Sequence, residues 1–534
     1  MRPDLPATPG PPATDGGAAR CAAGGSTGCT GWVRLRAADR CAVLVGVVVI
    51  ALVTVPRLPP GICYGDPGDL QLASATLGIA HPPGYTGYVT LGHLLTLVPG
   101  VDPAYMVSLG VLAAGILAVV LGMLMQIRLG LNPWMAAAIG VALVAEPHVK
   151  PNLGAPEVYA PTLAFLAAAA YLLLKYSRVG RRRELLLAAL LFGVALANRP
   201  PVAFALPFFV VAWLFARPKH EASWRVSLRR AAAGGACLLL PAAYAFGFLW
   251  VRDTPAAPYN YIEQYDREWN ELPDRSDGPA ARLRRIEWQA SAAQFRYLMG
   301  NDWSGVRSKL RWLRHEVDPG SPISLGGMAG AVLLGMVVVA TRSGPAVWLL
   351  VGMIAQSLIF VCAYRIYGQA ADLLPMIWAG TVAAGMLLAP LFPRRLARPR
   401  LTIAAGLLAA ACGWTLIEAR SRPSDYWNHD ATAFVEAVDL GTFPAGAVIC
   451  SSWGTSPPLW YAQHVLTGRD DIRIINASSR RWQELIGPSP DRPVFYTDSR
   501  NRLPPGHVLT PYRKLWRLER ADRARAGRTS TAGD

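Results

Sequence analysis

Two carboxylates three residues apart, Asp66 and Asp69, stand in the stretch YGDPGDLQLASATLGIAHPPGY (64–85), which closes on a His81-Pro-Pro-Gly-Tyr85 turn. If residues 66–70 begin a helical turn, positions i and i+3 share one face, so both acids can serve one site. An outward-facing carboxylate can act as a general base on a hydroxyl, hold a metal with other oxygen ligands, or couple to a proton or ion. The same residues also read as structure alone: Asp66 suits an N-cap and Pro67 a first helical turn. Two observations weigh against that plain reading. The loop from 59 to 101 has no Lys or Arg to pair with these acids. An acid at a membrane interface is also costly to keep without a use. In HPPGY the prolines fix the backbone and Gly84 permits a tight turn, holding His81 on a rigid loop; a plain turn with an exposed His is the alternative.

Other polar residues interrupt apolar surroundings. GAPEVYAP (154–161) holds Glu157 and Tyr159, ANRPP (197–201) holds Asn198 and Arg199, and YRIYGQAADLLP (364–375) holds Arg365, Tyr367 and Asp372. Arg is suited to bidentate phosphate recognition. The structural readings are a helix-end acid at Glu157, an Arg snorkelling to headgroups at 199, and an ion pair between Arg365 and Asp372.

The elements that must position these residues are membrane spans. The chain has 534 residues and only 16% charged side chains, against about 25% in soluble proteins, and its mean hydropathy is +0.27. Apolar runs predict eleven spans, at roughly 41–58, 103–126, 133–147, 157–175, 184–199, 201–216, 231–250, 322–341, 345–363, 372–391 and 401–418. The Arg clusters of the connecting links then fall on one side, which the positive-inside rule makes cytoplasmic, with the N-terminus. Residues 1–40, rich in Gly, Ala, Pro and Thr, read as disordered. Residues 59–101 form a first outer loop whose 88–98 segment is too short to span and lies at the interface. Residues 251–320 form a large outer loop in which Lys plus Arg equal Asp plus Glu, with Trp288, Phe295, Tyr297, Trp303 and Trp312 marking helices at the membrane surface. On this alternation every polar segment named above lies at the outer ends of the spans. Together they describe one outward-opening cavity, over a membrane that can supply a lipid substrate.

The tail, 419–534, is of another kind. GAVICSS, DIRIIN and RPVFYTD read as strands and SPPLWYAQHVL as a short helix, so a small extracytoplasmic α/β domain is expected. It has no GxGxxG, so nothing points to a dinucleotide. The net charge of +17 sits in short clusters between apolar runs, which argues for membrane topology and against nucleic acid. Eight Cys, at 21, 29, 41, 63, 237, 362, 412 and 450, form no CxxC pair and no disulfide framework.

The ordered series DPGDLQLASATLGIAHPPGYTGYVTLGHLLTLVP, PEVYAPTLAFLAAAAYLL, GVALANRPPVAFALP, WQASAAQFRYLMG, YRIYGQAADLLP and GAVICSSWGTSPPLWYAQHV resembles the transmembrane protein O-mannosyltransferase family, glycosyltransferase family 117, over roughly 41–500. The resemblance implies a GT-C type polytopic glycosyltransferase that uses a polyprenyl-phosphate sugar donor. It puts Asp66 on the family's leading Asp, Asp69 on its Glu, His81 to Tyr85 on its HPPGY turn, and Glu157 and Tyr159 on its EVY motif. Three departures stand out: Asp69 replaces a Glu, Pro67 replaces a Ser, and Arg199 stands where many members carry a His after Asn.

The expectation is therefore an inverting transferase moving mannose to Ser or Thr of an exported protein, in a bacterial plasma membrane. Asp66 is the expected base, with Asp69 and His81 positioning the acceptor or sharing the proton. Arg199, with Arg365, is expected to meet the phosphate, and Tyr85, Glu157, Tyr159, Asn198 and Asp372 to contact substrate. No metal or other cofactor is required; a divalent cation bridged by Asp66 and Asp69 is the alternative. The rival readings are a transferase acting on an envelope glycan or lipid, and a transporter of lipid-linked sugar. A transporter would show broken helices or inverted repeats at the midplane; the polar residues sit at span ends instead.

Overall fold

The computed structural model describes residues 35–216, 224–264, 276, 278–317, 325–366, 370–395, 397–421, 430–477, 482, 486, 492–499 and 503–521. Most of the N-terminal stretch expected to be disordered, and Tyr367, lie outside the described residues.

Among these residues, seven helices are long and apolar enough to cross a membrane: Ala37–Arg57, Pro103–Arg128, Tyr159–Val179, Arg225–Arg252, Gly344–Ala363, Ala370–Leu388 and Pro399–Ile417. Three shorter apolar helices, Pro133–Val144, Pro200–Ala216 and Ala329–Arg342, accompany them. The expected third span is the main departure in length. Its 12 helical residues reach only about 18 Å, and the chain then turns through Glu146 to Asn152 rather than continuing. The expected fifth span is the 17-residue helix Arg182–Asn198.

The sequence marks these helices at their starts. Asp102 accepts from the backbone N–H groups of Ala104 and Tyr105 at 2.8 and 3.1 Å, with Pro103 in the first turn. Asn132 and Pro133 open the next helix the same way. Both caps satisfy N–H groups a helix cannot satisfy itself. Gly193 lets Arg182–Asn198 close on Trp224–Arg252: a Cβ there would sit 2.2 Å from the carbonyl oxygen of Leu238. Tyr159–Val179 and Pro103–Arg128 are central, with 67% and 56% of their spanning windows buried, whereas Arg225–Arg252 is peripheral at 6%.

The bundle has two distinct ends. At one, Arg36 and Arg394 meet Asp39, Leu131 bridges Pro393, and Arg178 and Arg342 donate to the carbonyls of residues 342 and 129. At the other, the segment after the first helix meets residues 253–262 through an Ile79–Asn260 bridge and the tail through a Cys63–Asp430 bridge, while Met299 bridges Tyr364.

The tail holds a five-stranded sheet of order β2-β1-β3-β5-β4, with β1 Val448–Ser451, β2 Arg473–Asn476, β3 Val494–Tyr496, β4 His507–Tyr512 and β5 Leu515–Arg520. β1 runs parallel to β2 and β3, and β5 pairs antiparallel with β3 and β4. The three expected strands and the short helix Ser456–Tyr461 are present; the β4–β5 hairpin is an addition that the sequence pattern does not announce. Strand alternation divides two cores. Val448, Cys450, Val494 and Tyr496 pack with Trp482 on one face, while Ile449 and Phe495 pack with Leu459 and Trp460 on the other. This second core also contains Leu70, Leu72 and Ala73, so the tail and the helix carrying Asp66 and Asp69 share one interior.

Candidate functional site

The two acids lie on the helix Gly65–Thr76, which we call α1, whose N-cap is Tyr64. Asp66 is thus inside the first turn and makes no cap, contrary to the structural reading of the sequence. Gly68 permits this start, since a Cβ there would fall 2.0 Å from the carbonyl oxygen of Cys63. The i, i+3 spacing turns both carboxylates toward His81, which leaves the two in very different surroundings.

Asp69 is fully buried. Its Oδ2 accepts from the His81 backbone N–H at 2.9 Å and from ring Nδ1 at 2.7 Å, and its Oδ1 accepts from the Tyr259 hydroxyl. Asp66 keeps 52% of its side chain exposed, with Oδ2 3.9 Å from His81 Nε2 and Oδ1 accepting from the Trp453 indole N–H at 2.5 Å. His81 lies between the acids, where a bridging cation would sit, and both oxygens of Asp69 are already engaged. The described residues also hold no group of three or more His, Cys, Asp or Glu arranged for a metal.

Two elements hold this cluster. The turn 81–84 closes by a Gly84 N–H to His81 carbonyl bond of 2.8 Å, and Gln289 donates to the Ala80 carbonyl at 2.6 Å. Arg285 and Asp253, both buried, pair at 3.0 Å, and Asn260 donates to Asp253 at 3.1 Å. That network anchors the segment carrying Tyr259, whose carbonyl accepts from the Ile79 N–H at 3.1 Å.

The electrostatics separate the titratable groups. Burial disfavours the His81 imidazolium, but the Asp66 charge and the Asp69 hydrogen bond and charge outweigh it and raise its pKa to about 9. At neutral pH His81 is therefore a cation, donating through Nδ1 to Asp69 with Nε2 3.9 Å from Asp66, and is not a base. Burial, reinforced by the Asp66 charge, raises Glu157 to about 8 despite His81 and Arg199, so it is a neutral acid at pH 7.

A cavity of about 830 Å³ opens in front of Asp66. Asp66, His81, Tyr85, Tyr159 and Arg199 line it, with Pro82, Pro83, Pro200 and Pro201 shaping its wall. Arg199 pairs with buried Asp372 and lies over the Tyr159 ring at 4.4 Å, with Phe360 at 5.7 Å. Tyr261, Arg296, Tyr364, Trp453 and Asn476 continue the lining. Three cationic groups, His81, Arg199 and Arg296, thus face a space with one lining carboxylate, Asp66, among the described residues.

The expected site residues separate accordingly. Asp66, His81, Tyr85, Tyr159 and Arg199 come together on the cavity. Asp69 stands behind it, and Glu157 lies within electrostatic reach of Asp66, His81 and Arg199. Asn198 is buried away from it, donating to Thr162 at 2.7 Å. Arg365 is exposed and donates to the carbonyls of Gly300 and Tyr297. The anticipated Arg365–Asp372 pair is therefore replaced by Arg199–Asp372, and the second arginine on the cavity is Arg296. Sequence reasoning misses Tyr259, Trp453 and Arg296 as site residues. Arg296 and Trp453 do fall inside quoted stretches, WQASAAQFRYLMG and GAVICSSWGTSPPLWYAQHV, but nothing local marks either as facing the acids. Tyr259 lies outside every such stretch.

Residues 66–222 match the family described as the protein O-mannosyl-transferase TMEM260 N-terminal domain. The protein O-mannosyl-transferase TMEM260 of Mus musculus is 42% identical over 82 residues, 14% of this chain and 11% of that protein. The match to this curated relative thus spans about a tenth of its length. Among solved structures, ArnT from Cupriavidus metallidurans bound to undecaprenyl phosphate aligns with a TM-score of 0.51 at 13% identity, covering 92% of this chain and 98% of that one. Its apo form gives 0.52 at 12% identity, over 92% and 97%. The chain is a multi-helix membrane protein with a GT-C-like fold, and its residues 66–222 are similar to the TMEM260 N-terminal domain.

Proposed function

We propose that this chain, with a TMEM260-type N-terminal domain on a GT-C-like scaffold, is an inverting membrane glycosyltransferase. It moves mannose from a polyprenyl-phosphate carrier to a Ser or Thr hydroxyl of an exported protein. The observation that carries the reading is Asp66: a half-exposed carboxylate at a cavity whose other lining charges are cationic. The family match supports the mannosyl transfer. The undecaprenyl phosphate bound to ArnT supports a polyprenyl-phosphate ligand for a scaffold of this kind.

The acceptor hydroxyl gives its proton to Asp66 as its oxygen bonds to the sugar's anomeric carbon. The bond from that carbon to the phosphate oxygen breaks on the opposite face, its electrons leaving with the polyprenyl phosphate, so the centre inverts. Arg199 and Arg296 stabilise the departing phosphate. Asp372 balances part of the Arg199 charge and fixes the guanidinium on the cavity wall. Asp69 holds His81, whose positive charge stands 3.9 Å from Asp66. Tyr85 and Tyr159 wall the sugar, and Glu157, neutral at pH 7, adds no negative charge near it.

Tyr159, Arg199 and the pair Phe360 and Tyr364, at the ends of three different helices, line the same cavity. Such convergence is what outer span ends would give. The topology proposed with it is eleven crossings, the N-terminus cytoplasmic and the cavity and tail outside, in a bacterial plasma membrane, resting on the basic links between the apolar runs. The test is transfer from polyprenyl-phosphate mannose to a Ser/Thr peptide by the purified chain, beside mass spectrometry of exported proteins and envelope glycans with and without the gene. Mannose lost from exported proteins is expected. Loss from a glycan alone would move the acceptor to the envelope, and no change in either would overturn the reading.

A further inference from the structure

We propose that the tail domain is a working part of the active site and that Trp453 is the residue that positions Asp66. The inference rests on Asp66 being the base.

The parallel strands β1 and β2 direct their carboxyl ends at the cavity. Ser452, Trp453 and Gly454 follow β1, and Asn476 ends β2, and all four line it. Crevices outside the carboxyl ends of parallel strands are the usual ligand sites of open α/β sheets. The loop is docked on α1, since the Gly65 N–H donates to the Gly454 carbonyl at 3.0 Å.

Trp453 then donates its indole N–H to Asp66 Oδ1. Its ring is held edge-on by Tyr261 at 5.5 Å, His81 at 5.8 Å and Trp460 at 6.5 Å. Asp66 is half exposed, so without this bond little fixes its rotamer: the remaining contact, to His81, is 3.9 Å long. The indole occupies one oxygen and leaves lone pairs on the other for an acceptor hydroxyl. The tail side of the cavity, from Ser452, Trp453, Gly454 and Asn476, bears no charged side chain among the described residues, whereas Arg199 and Arg296 lie on the remaining wall. An anionic lipid phosphate fits the arginine side, and a neutral hydroxyl-bearing acceptor fits beneath Trp453.

The experiment uses the full chain in detergent, polyprenyl-phosphate mannose and a synthetic Ser/Thr peptide, with each variant normalised to folded protein by its thermal unfolding. Trp453→Phe keeps the ring and loses the N–H; Trp453→Leu loses both. If Trp453 positions the base, both lower kcat by about tenfold, leave the donor KM unchanged, and move the acid limb of the pH–rate profile up by about one unit. A loss that grows from Phe to Leu with the acid limb in place would assign Trp453 to packing and overturn the proposal, as would an unchanged kcat. Asp66→Asn is measured alongside. Full activity there sinks the base assignment itself, whereas a dead Asp66→Asn beside a normal Trp453→Phe sinks only the role of Trp453.

Discussion

Each end of the helical bundle holds a carboxylate beside cationic groups, and the two are put to different use. At the closed end Asp39 is fully buried and takes hydrogen bonds from Arg36 and from Arg394, the latter at 2.5 Å. Its charge joins the first helix to the link at 393–395. At the open end Asp69 is equally buried, but it holds a histidine that faces a second, half-exposed acid on a large cavity. Residue type does not separate these ends. What separates them is whether a carboxylate oxygen is left facing open space.

The sharpest way to break the comparison is to neutralise one acid at each end. Asp66→Asn is expected to lower transfer by about 10³-fold or more with unfolding unchanged. Asp39→Asn should lower stability by about 2 kcal/mol with turnover per folded molecule unchanged. Equal effects of the two on transfer would remove the distinction.

His81 gives a pH-dependent version. Its folded-state pKa is raised to about 9 from an ordinary 6.5, so its pairing stabilises the fold fully below about 6.5 and is lost as pH rises through about 9. The contribution is roughly 3 kcal/mol. The gap in unfolding midpoint between the wild type and His81→Gln should therefore narrow between pH 6 and pH 10; a constant gap would refute the buried cation.

Arg199→Lys keeps a charge opposite Asp372 but loses the bidentate fork, and a rise of about tenfold in donor KM is expected, with acceptor KM unchanged. Arg199→Ala is a poorer probe, since it strands buried Asp372. The smallest effect is expected at Glu157. With its pKa raised to about 8, it is already neutral at pH 7, and Glu157→Gln should change transfer by less than about twofold there. A large loss at pH 7 would mean that its ionised form is used.

Much of this end was legible in the sequence because its first parts are local. Asp66 and Asp69 are one helical turn apart, and HPPGY builds its own turn. The apolar runs likewise announce helices by length. What local pattern could not supply is pairing across the chain. Arg365 is seven residues from Asp372, yet Arg199, 173 residues away, takes it. Tyr259 reaches Asp69 over 190 residues and Trp453 reaches Asp66 over 387. The β4–β5 hairpin was hidden for a different reason. Its turn is built on Arg513 at φ 52° followed by Lys514, with none of the Asn-Gly or Asp-Gly chemistry that marks hairpins in sequence.

The contact between Trp453 and Asp66 also sets an order in time. The first acid of the site leaves the ribosome long before the loop that covers it, and all of the bundle but its first helix is made in between. A nascent chain stopped before the tail would carry both acids, the histidine and both cavity arginines, and would still lack the indole over Asp66. A domain synthesised after the bundle helices is then the one that brings the indole to Asp66.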